Sequence, residues 1–272
     1  MKKKLSFSET LTVGCMLFGL FFGAGNLIFP VFMGQEAGSH MWKAIGGLLI
    51  TGVGIPLLGV AALGMSRSGG LLDMSSKIGR KYAYFFTCLL YLTIGPFFAI
   101  PRCASTSFSV GIRPLIHDAA TANWVIWIFS LLFFAAVLWF SLRPGKILTW
   151  VGKILTPLFL VSLALLVVTA LVSPMGSSKD VRPEQAYRET TFFMGFLDGY
   201  NTMDALAGLA FGIVVVNAIR GLGVEEPAAI AGNTVRSGII GCVIMGVIYI
   251  AMTVIGAQSR AIYPLCTDGG EV

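Results

Sequence analysis

The sequence has few charged residues: Asp, Glu, Lys and Arg make up 12% of its 272 residues, whereas hydrophobic residues make up 56%. Soluble globular domains carry about 25% charged residues, so this chain cannot cover a water-facing surface. It also lacks a metal-ligand cluster, a phosphate-binding loop, a Ser/His/Asp arrangement and any CxxC pair. Five scattered cysteines are most simply small packing residues: Cys15, Cys88, Cys103, Cys242 and Cys266. These absences indicate an integral membrane protein rather than an enzyme.

Apolar stretches long enough to cross a bilayer, roughly 20 residues each, recur seven times. We number these predicted spans 1 to 7; they lie near 10–33, 41–65, 83–111, 123–142, 150–173, 191–219 and 237–257. Lys2, Lys3 and Lys4 precede span 1 as in a signal peptide, but its apolar core exceeds the usual 7–15 residues or so. We therefore predict an uncleaved first helix.

The formal net charge of +6 reflects membrane topology. With the N-terminus inside, twelve Lys and Arg residues fall in cytoplasmic segments and six fall outside, while Arg102 lies within a span. This bias is the positive-inside pattern. It predicts a multi-pass protein of the cytoplasmic membrane with a cytoplasmic N-terminus, and it gives no reason to expect a nucleic-acid partner.

No linker divides the chain, so residues 1–272 are predicted to form a single membrane domain in contact with the lipid bilayer. After span 7 the sequence reads QSRAIYPLCTDGGEV, which contains no further apolar run. We interpret this polar tail, residues 258–272, as the end of a truncated chain.

Span 1 carries an unusual centre, since residues 18–30 read FGLFFGAGNLIFP. Glycines free the backbone, and Pro30 removes a donor. Irregular backbone at this depth must be buried in protein or line an aqueous cavity. An alternative is close helix packing through Gly19 and Gly23, a small-xxx-small pair, but that leaves Asn26 unexplained. We predict a broken helix.

Span 6 resembles span 1 in this respect. Its sequence FFMGFLDGYNTMDALAGLAFG (192–212) places Gly199 and a polar run ending in Asp204 at mid-depth. An ionisable residue within a span is costly and is taken as functional by default. The alternative for Asp204 is a structural hydrogen bond to a neighbouring helix. We predict a second break over residues 199–202, in the polar stretch that begins at the glycine.

The two predicted breaks lie five spans apart, so their helices run in opposite directions. An inverted five-helix repeat places a binding site at the midplane between such broken helices. Half-helix N-termini suit a carboxylate, and freed carbonyls suit a hard cation such as Na⁺. We assign residues 10–173 to the first repeat and 191–257 to the start of the second. The pattern predicts a site for a zwitterion beside a cation.

Three motifs resemble those of the bacterial branched-chain amino acid:cation symporters, which import leucine, isoleucine and valine. They are GAGNLIFP (23–30), GPFFAIPRCASTSF (95–108) and GYNTMDALAGLAFGIVVVNA (199–218). The resemblance covers nearly the whole chain. It implies an all-α, leucine-transporter-like fold of two inverted five-helix repeats with broken helices 1 and 6. It also implies about twelve spans, so seven would be a fragment.

The resemblance also implies roles for particular residues. The N–H groups of Ala24 and Gly25 would receive the substrate carboxylate, and the ammonium would face helix 6. Na⁺ would bind between the carbonyls of Gly19 and Phe22 and hydroxyls of helix 8, a helix that is not among the seven predicted spans. Asn26 would hold a second ion or brace the break. The expected substrate site comprises Gly23, Ala24, Gly25, Asn26, Gly199, Tyr200, Asn201 and Thr202.

A gate and the coupling ion complete the expectations. Arg102 and Asp198 lie at similar depths, so we predict that they pair; the alternative is that Arg102 extends to the lipid headgroups. Na⁺ follows from the carbonyl-rich break, but Asp204 could carry a proton instead if burial raised its pKa. No other cofactor is expected.

Two competing functions remain. The chain could be a non-transporting fragment or an assembly or regulatory subunit; reading the DNA past the stop would discriminate, because five further spans would favour a truncated carrier. An intramembrane enzyme is disfavoured, because Asp198 and Asp204 are six residues apart and point to different sides of a regular helix.

Overall fold

The computed structural model describes residues 4–66, 68–116, 118–142 and 153–265. Within these ranges the regular structure is helical. The α-helices are α1 (Phe7–Phe21), α2 (Ala24–Ala37), α3 (Met41–Leu49), α4 (Ile55–Met65), α5 (Leu71–Ser76), α6 (Arg80–Leu92), α7 (Ala99–Gly111), α8 (Ala119–Ser141), α9 (Thr156–Val172), α10 (Gln185–Glu189), α11 (Thr191–Asn201), α12 (Asp204–Gly221) and α13 (Pro227–Ser259). Two 3₁₀ turns, Gly38–His40 and Arg113–Leu115, and two π segments, Ile50–Gly54 and Thr93–Phe97, join some of them.

Six helical segments of the described chain are long and apolar enough to cross a membrane. They are Ala24–Met65, Arg80–Leu115, Ala120–Ser141, Lys153–Val172, Thr191–Gly221 and Pro227–Ser259. The predicted count of seven differs because α1, with 15 residues, is short of a span by itself. Moreover, α2 to α4 form one continuous helical stretch, although Gly38 ends α2 with a positive φ of 48°. Residues 150–152 of predicted span 5 and 266–272 of the tail, with Cys266, lie outside the described ranges.

The predicted break in span 1 is confirmed. α1 ends at Phe21, and α2 begins at Ala24 after the extended residues Phe22 and Gly23. A continued helix would direct the Gly23 N–H to the Gly19 carbonyl; instead it donates to Asn26 Oδ1 at 2.9 Å. A Cβ on Gly23 would meet only ordinary contacts, the nearest 3.8 Å away. Close helix packing therefore does not account for Gly23.

The predicted break in span 6 is also confirmed, and it lies at the end of the predicted stretch 199–202 rather than at Gly199 itself. α11 continues through Gly199 to Asn201, and α12 begins at Asp204. Between them Met203 adopts left-handed backbone geometry with φ 69°. Gly199 serves packing instead, because a Cβ there would overlap Thr51 Oγ1 and lie 2.5 Å from the Leu48 carbonyl oxygen.

A third interruption, which the sequence reading missed, divides span 3. The π segment Thr93–Phe97 contains Gly95 with non-helical angles (φ −86°, ψ −115°), and Phe98 also leaves helical geometry. Pro96 removes a backbone donor at this point. The Gly95–Pro96 pair was an available signal for this kink, which sets the direction in which α7 enters the bundle.

The core forms where α13 packs against α1 and α2, with α11 against α3 and α12 against α4. The contact of α2 with α13 is close because small residues face each other. A Cβ on Gly34 would overlap the Thr253 carbonyl oxygen, and one on Gly256 would overlap that of Val31. Since α13 is thereby held against the first broken helix, its side chains reach the break.

Candidate functional site

A cavity of about 330 Å³ lies between the two breaks. We call it the inner cavity. It is lined by the end of α1 and the start of α2, by α7 and α8, and by the break between α11 and α12. Five of the eight residues predicted to bind substrate line it: Gly23, Ala24, Gly25, Asn26 and Thr202. Most of the remaining wall is apolar, including Ile94, Phe133 and Phe211.

The other three predicted residues lie elsewhere. Gly199 is packed against α3 and the following π segment. Tyr200 and Asn201 line a second cavity of about 300 Å³, together with Phe29, Phe98, Arg102, Met203 and Leu206. We call this the outer cavity. Arg102 and Met203 line both cavities and therefore stand between them.

Asn26 joins the two breaks. Its side-chain oxygen accepts from the Gly23 N–H at 2.9 Å, and its Nδ2 donates to Asp204 Oδ2 at 2.7 Å. Asn26 therefore bonds to both breaks, as the predicted bracing role requires, and its role as a second ion ligand stays a prediction.

Asp204 is the centre of a buried polar cluster. It is 1% exposed, and besides Asn26 its Oδ2 accepts from Thr202 Oγ1 at 2.9 Å and from the Tyr249 hydroxyl at 2.5 Å. The carboxylate also stands in the first turn of α12, where a helix favours negative charge. The sequence reading missed Tyr249, whose only signal was a hydroxyl within an apolar span. We call Asn26, Thr202, Asp204 and Tyr249 the midplane cluster.

Arg102 does not pair with Asp198. Its Nη1 donates to the Asn201 carbonyl at 2.9 Å and its Nη2 to the Thr202 carbonyl at 3.3 Å. The predicted gate pair is therefore not formed, and the guanidinium is instead bound to these two carbonyls at the end of α11. The physical reason is that the carbonyls at the end of α11 offer a cation unsatisfied acceptors at the negative end of the helix.

Asp198 belongs to a separate network near the end of α2. Its carboxylate accepts from the Tyr187 hydroxyl of α10, and the Tyr187 carbonyl lies 3.1 Å from His40 Nδ1. Burial and the neighbouring Asp198 charge raise the pKa of the Tyr187 hydroxyl above its ordinary value. Nearby, Arg260 pairs with Glu184 at 3.1 Å. These contacts hold α10 against the bundle.

The predicted Na⁺ ligands Gly19 and Phe22 line a third cavity of about 280 Å³. Facing them from α9 and the residue before it are Thr156, Phe159 and Leu155. Carbonyl and hydroxyl oxygens are suitable ligands for a hard cation, and Thr156 supplies the side-chain hydroxyl in this wall. The two residues thus share a cavity, separate from the midplane cluster.

Comparison with known proteins gives consistent matches. Residues 6–272 match the family described as branched-chain amino acid transport protein. The chain is 52% identical over 271 residues to the branched-chain amino acid permease BrnQ of Lactobacillus delbrueckii subsp. lactis. It is 42% identical over 268 residues to the permease BraB of Bacillus subtilis and 40% identical over 272 residues to BrnQ of Escherichia coli K12.

These alignments cover 100%, 97% and 100% of the chain but 61%, 59% and 61% of the respective relatives. The chain therefore spans about three fifths of the length of the relatives it matches. No solved structure matches it.

Proposed function

We propose, for a chain that belongs to the branched-chain amino acid transport protein family, that it forms the binding region of a secondary active transporter. The transporter would import leucine, isoleucine and valine across the bacterial cytoplasmic membrane by symport with Na⁺ or H⁺. The observation that carries the proposal is the inner cavity, which lies where two broken helices meet. The names of the relatives supply the substrate class.

The cavity has the parts that a branched-chain zwitterion requires. Ala24 and Gly25 open α2 and line the cavity, so the free N–H groups at a helix N-terminus are available to a carboxylate. The carbonyls at the end of α11 would receive the ammonium. An aliphatic side chain would then lie against Ile94, Phe133 and Phe211. One methylene changes binding by only ~1–3 kcal/mol, so all three amino acids should share the site.

Two places are available for the coupling ion. Na⁺ would bind in the third cavity at the carbonyls of Gly19 and Phe22, near the Thr156 hydroxyl. A proton would instead bind Asp204 in the midplane cluster. One cation moving down ~100 mV supplies ~2.3 kcal/mol, and at ~1.4 kcal/mol per decade this supports roughly fifty-fold accumulation. Either ion is therefore sufficient in magnitude.

The positive-inside bias supports a cytoplasmic N-terminus. In that orientation the inner cavity, lined by the end of α1 and by Phe211 of α12, lies on the cytoplasmic side of Arg102. The outer cavity lies on the other side. Alternating access would then consist of opening one cavity at a time.

The proposal is tested by reconstituting the 272-residue chain and measuring counterflow of labelled leucine with and without Na⁺. We expect exchange that unlabelled isoleucine and valine inhibit and that lysine and glutamate do not. If the coupling ion is a proton bound at Asp204, Asp204→Asn should abolish coupled uptake, whereas Asp118→Asn, at the exposed start of α8, should not. Absence of both leucine binding and counterflow would overturn the proposal.

The coverage of the relatives favours a second candidate, a membrane component that does not transport by itself. Binding of leucine without counterflow distinguishes it, because a binding region lacking the rest of the cavity wall would retain ligand contacts but not exchange. A full-length relative measured in parallel serves as the positive control.

A further inference from the structure

Arg102 occupies a site that suits a cationic ligand. Its guanidinium binds two carbonyl oxygens, those of Asn201 and Thr202, and takes no carboxylate in these contacts. Phe29 and Phe98 flank it, with ring centroids 5.6 Å and 5.8 Å from Cζ. Aromatic faces and helix-terminal carbonyls both attract positive charge. The arrangement is a cation site that a side chain of the same protein has filled.

This cation site adjoins the place proposed for the substrate carboxylate. A Cβ on Gly25 would lie 2.8 Å from Arg102 Nη2 and 3.4 Å from the Thr202 Cα. The first turn of α2 and the end of α11 are therefore separated by little more than a van der Waals contact. The carboxylate and ammonium of one α-amino acid are close enough together to reach both, but only if the guanidinium leaves.

We propose that Arg102 is a tethered competitor of the substrate ammonium. Its guanidinium binds the carbonyl oxygens of Asn201 and Thr202, and the ammonium of a branched-chain amino acid displaces it. The inference rests on the proposed function for the identity of the ligand. It assigns to Arg102 control of affinity and of discrimination between ligands with and without an ammonium group.

The same displacement changes access between the cavities. Arg102 and Met203 line both the inner and the outer cavity, so they form the partition. Cys103, the next residue, lines the inner cavity. When the guanidinium leaves its carbonyls the partition loses its larger side chain, and Cys103 becomes reachable from the outer side.

The first test measures ligand binding to the purified chain by calorimetry. The probes are leucine and 4-methyl-2-oxopentanoate, which has the same carbon skeleton and carboxylate but no ammonium. Because removal of a competitor raises apparent affinity, Arg102→Gln should bind leucine about tenfold more tightly and should not tighten the keto acid. Arg102→Lys retains a cation but offers one donor atom, so it should fall between wild type and Arg102→Gln. Arg80→Gln, which changes an arginine stacked on Tyr84 outside both cavities, is the matched control.

A purely structural role for Arg102 gives a different result. If the side chain only holds the break in shape, Arg102→Gln weakens leucine and the keto acid together. Equal tightening of both ligands would also overturn the proposal, since it would show a change that does not involve the ammonium. Arg102→Lys keeps the test decisive if Arg102→Gln does not fold.

The second test measures access to Cys103 and does not depend on leucine. Cys15, Cys88, Cys242 and Cys266 are replaced by Ala, and intact cells are treated with the anionic, impermeant reagent sulfonatoethyl methanethiosulfonate. Loss of a positive charge by itself slows an anionic reagent, so severalfold faster labelling in Arg102→Gln supports an opened partition. Unchanged or slower labelling overturns it. Faster labelling without leucine binding in any variant would instead refute the proposed function and leave the partition supported.

Discussion

The midplane cluster leads to a quantitative prediction for Tyr249. Its hydroxyl donates to Asp204 Oδ2 at 2.5 Å, and the side chain is 0% exposed. Tyr249→Phe removes one oxygen atom and leaves the ring in place. The cost should therefore come from the lost hydrogen bonds, the one donated to Asp204 and the one accepted from Asn26 Nδ2, rather than from packing. Hydrogen bonds to charged groups are worth ~1.5–3 kcal/mol, whereas polar side-chain couplings between membrane helices average ~0.6 kcal/mol and reach ~1.7 kcal/mol.

We expect a coupling energy of about 1.5 kcal/mol between Tyr249 and Asp204, near the upper end of the membrane range. The reason is that three donors converge on one carboxylate oxygen in a buried site. A double-mutant cycle with Tyr249→Phe and Asp204→Ala isolates this term, since neither replacement introduces a new polar contact. The free energy of unfolding is measured for the four proteins in detergent by denaturant titration.

The control is Tyr82→Phe, which retains the ring stacked on Phe86 at a half-exposed position. It should change the free energy of unfolding by no more than about 0.5 kcal/mol. A Tyr249–Asp204 coupling at or below the average of about 0.6 kcal/mol would refute the reasoning, because the convergence on Asp204 would then contribute nothing beyond an ordinary interhelical contact.

Three further predictions follow from individual contacts. Gly199→Ala should lower the free energy of unfolding by ~1–3 kcal/mol, because its Cβ would overlap Thr51. Gly232→Ala, with open space in α13, should raise it by up to ~1 kcal/mol. Equal effects of the two variants in denaturant titrations would contradict this. Asn26→Ala should lower stability by about 2 kcal/mol and weaken leucine binding, because it leaves the Gly23 N–H without its acceptor and removes one of the three donors to Asp204; unchanged calorimetry would show that the bracing is dispensable. Folding raises the pKa of the Tyr187 hydroxyl. The stability that this group contributes is therefore complete below its unfolded pKa of about 10 and falls as pH rises above that value. Between about pH 9 and 11 the melting temperature of Tyr187→Phe should fall less than that of wild type, and identical slopes would contradict the shift.

The breaks were predictable because they are caused by particular residue types, which the sequence shows directly. Glycine and proline weaken helix formation wherever they stand, and a polar side chain at mid-depth needs a partner. The role of Gly199 at the start of the span 6 break was not predictable from the same rules. Gly199 has two possible uses, to free the backbone or to admit a neighbour, and contact with Thr51 in the π segment after α3 decides between them.

The failed pairing of Arg102 with Asp198 has a related cause. Position along a span gives depth but not the direction in which a side chain points around the bundle axis. In addition, the acceptors that Arg102 uses are backbone carbonyls, and every residue carries one. A carbonyl inside a continuous helix is already hydrogen-bonded. Such a site can therefore be predicted only when the residues at which the helix ends are known.

The midplane cluster also explains why the two breaks form one site. Asn26 bonds the break after α1 through its oxygen and Asp204 through its nitrogen. Asp204 in turn begins α12 and bonds Tyr249 of α13. Separating Thr202 from Asp204 at the second break, or Asn26 from Asp204 between the two breaks, therefore requires the loss of a bond to the same carboxylate. A change in the charge of Asp204 alters the bonds from Asn26, Thr202 and Tyr249 together, because each of them donates to Asp204 Oδ2. It therefore acts at Asn26 in the first break and at Thr202 in the second. Because α13 is packed against α1 and α2, Tyr249 is held in place. A change at Asp204 would therefore move the breaks relative to α13.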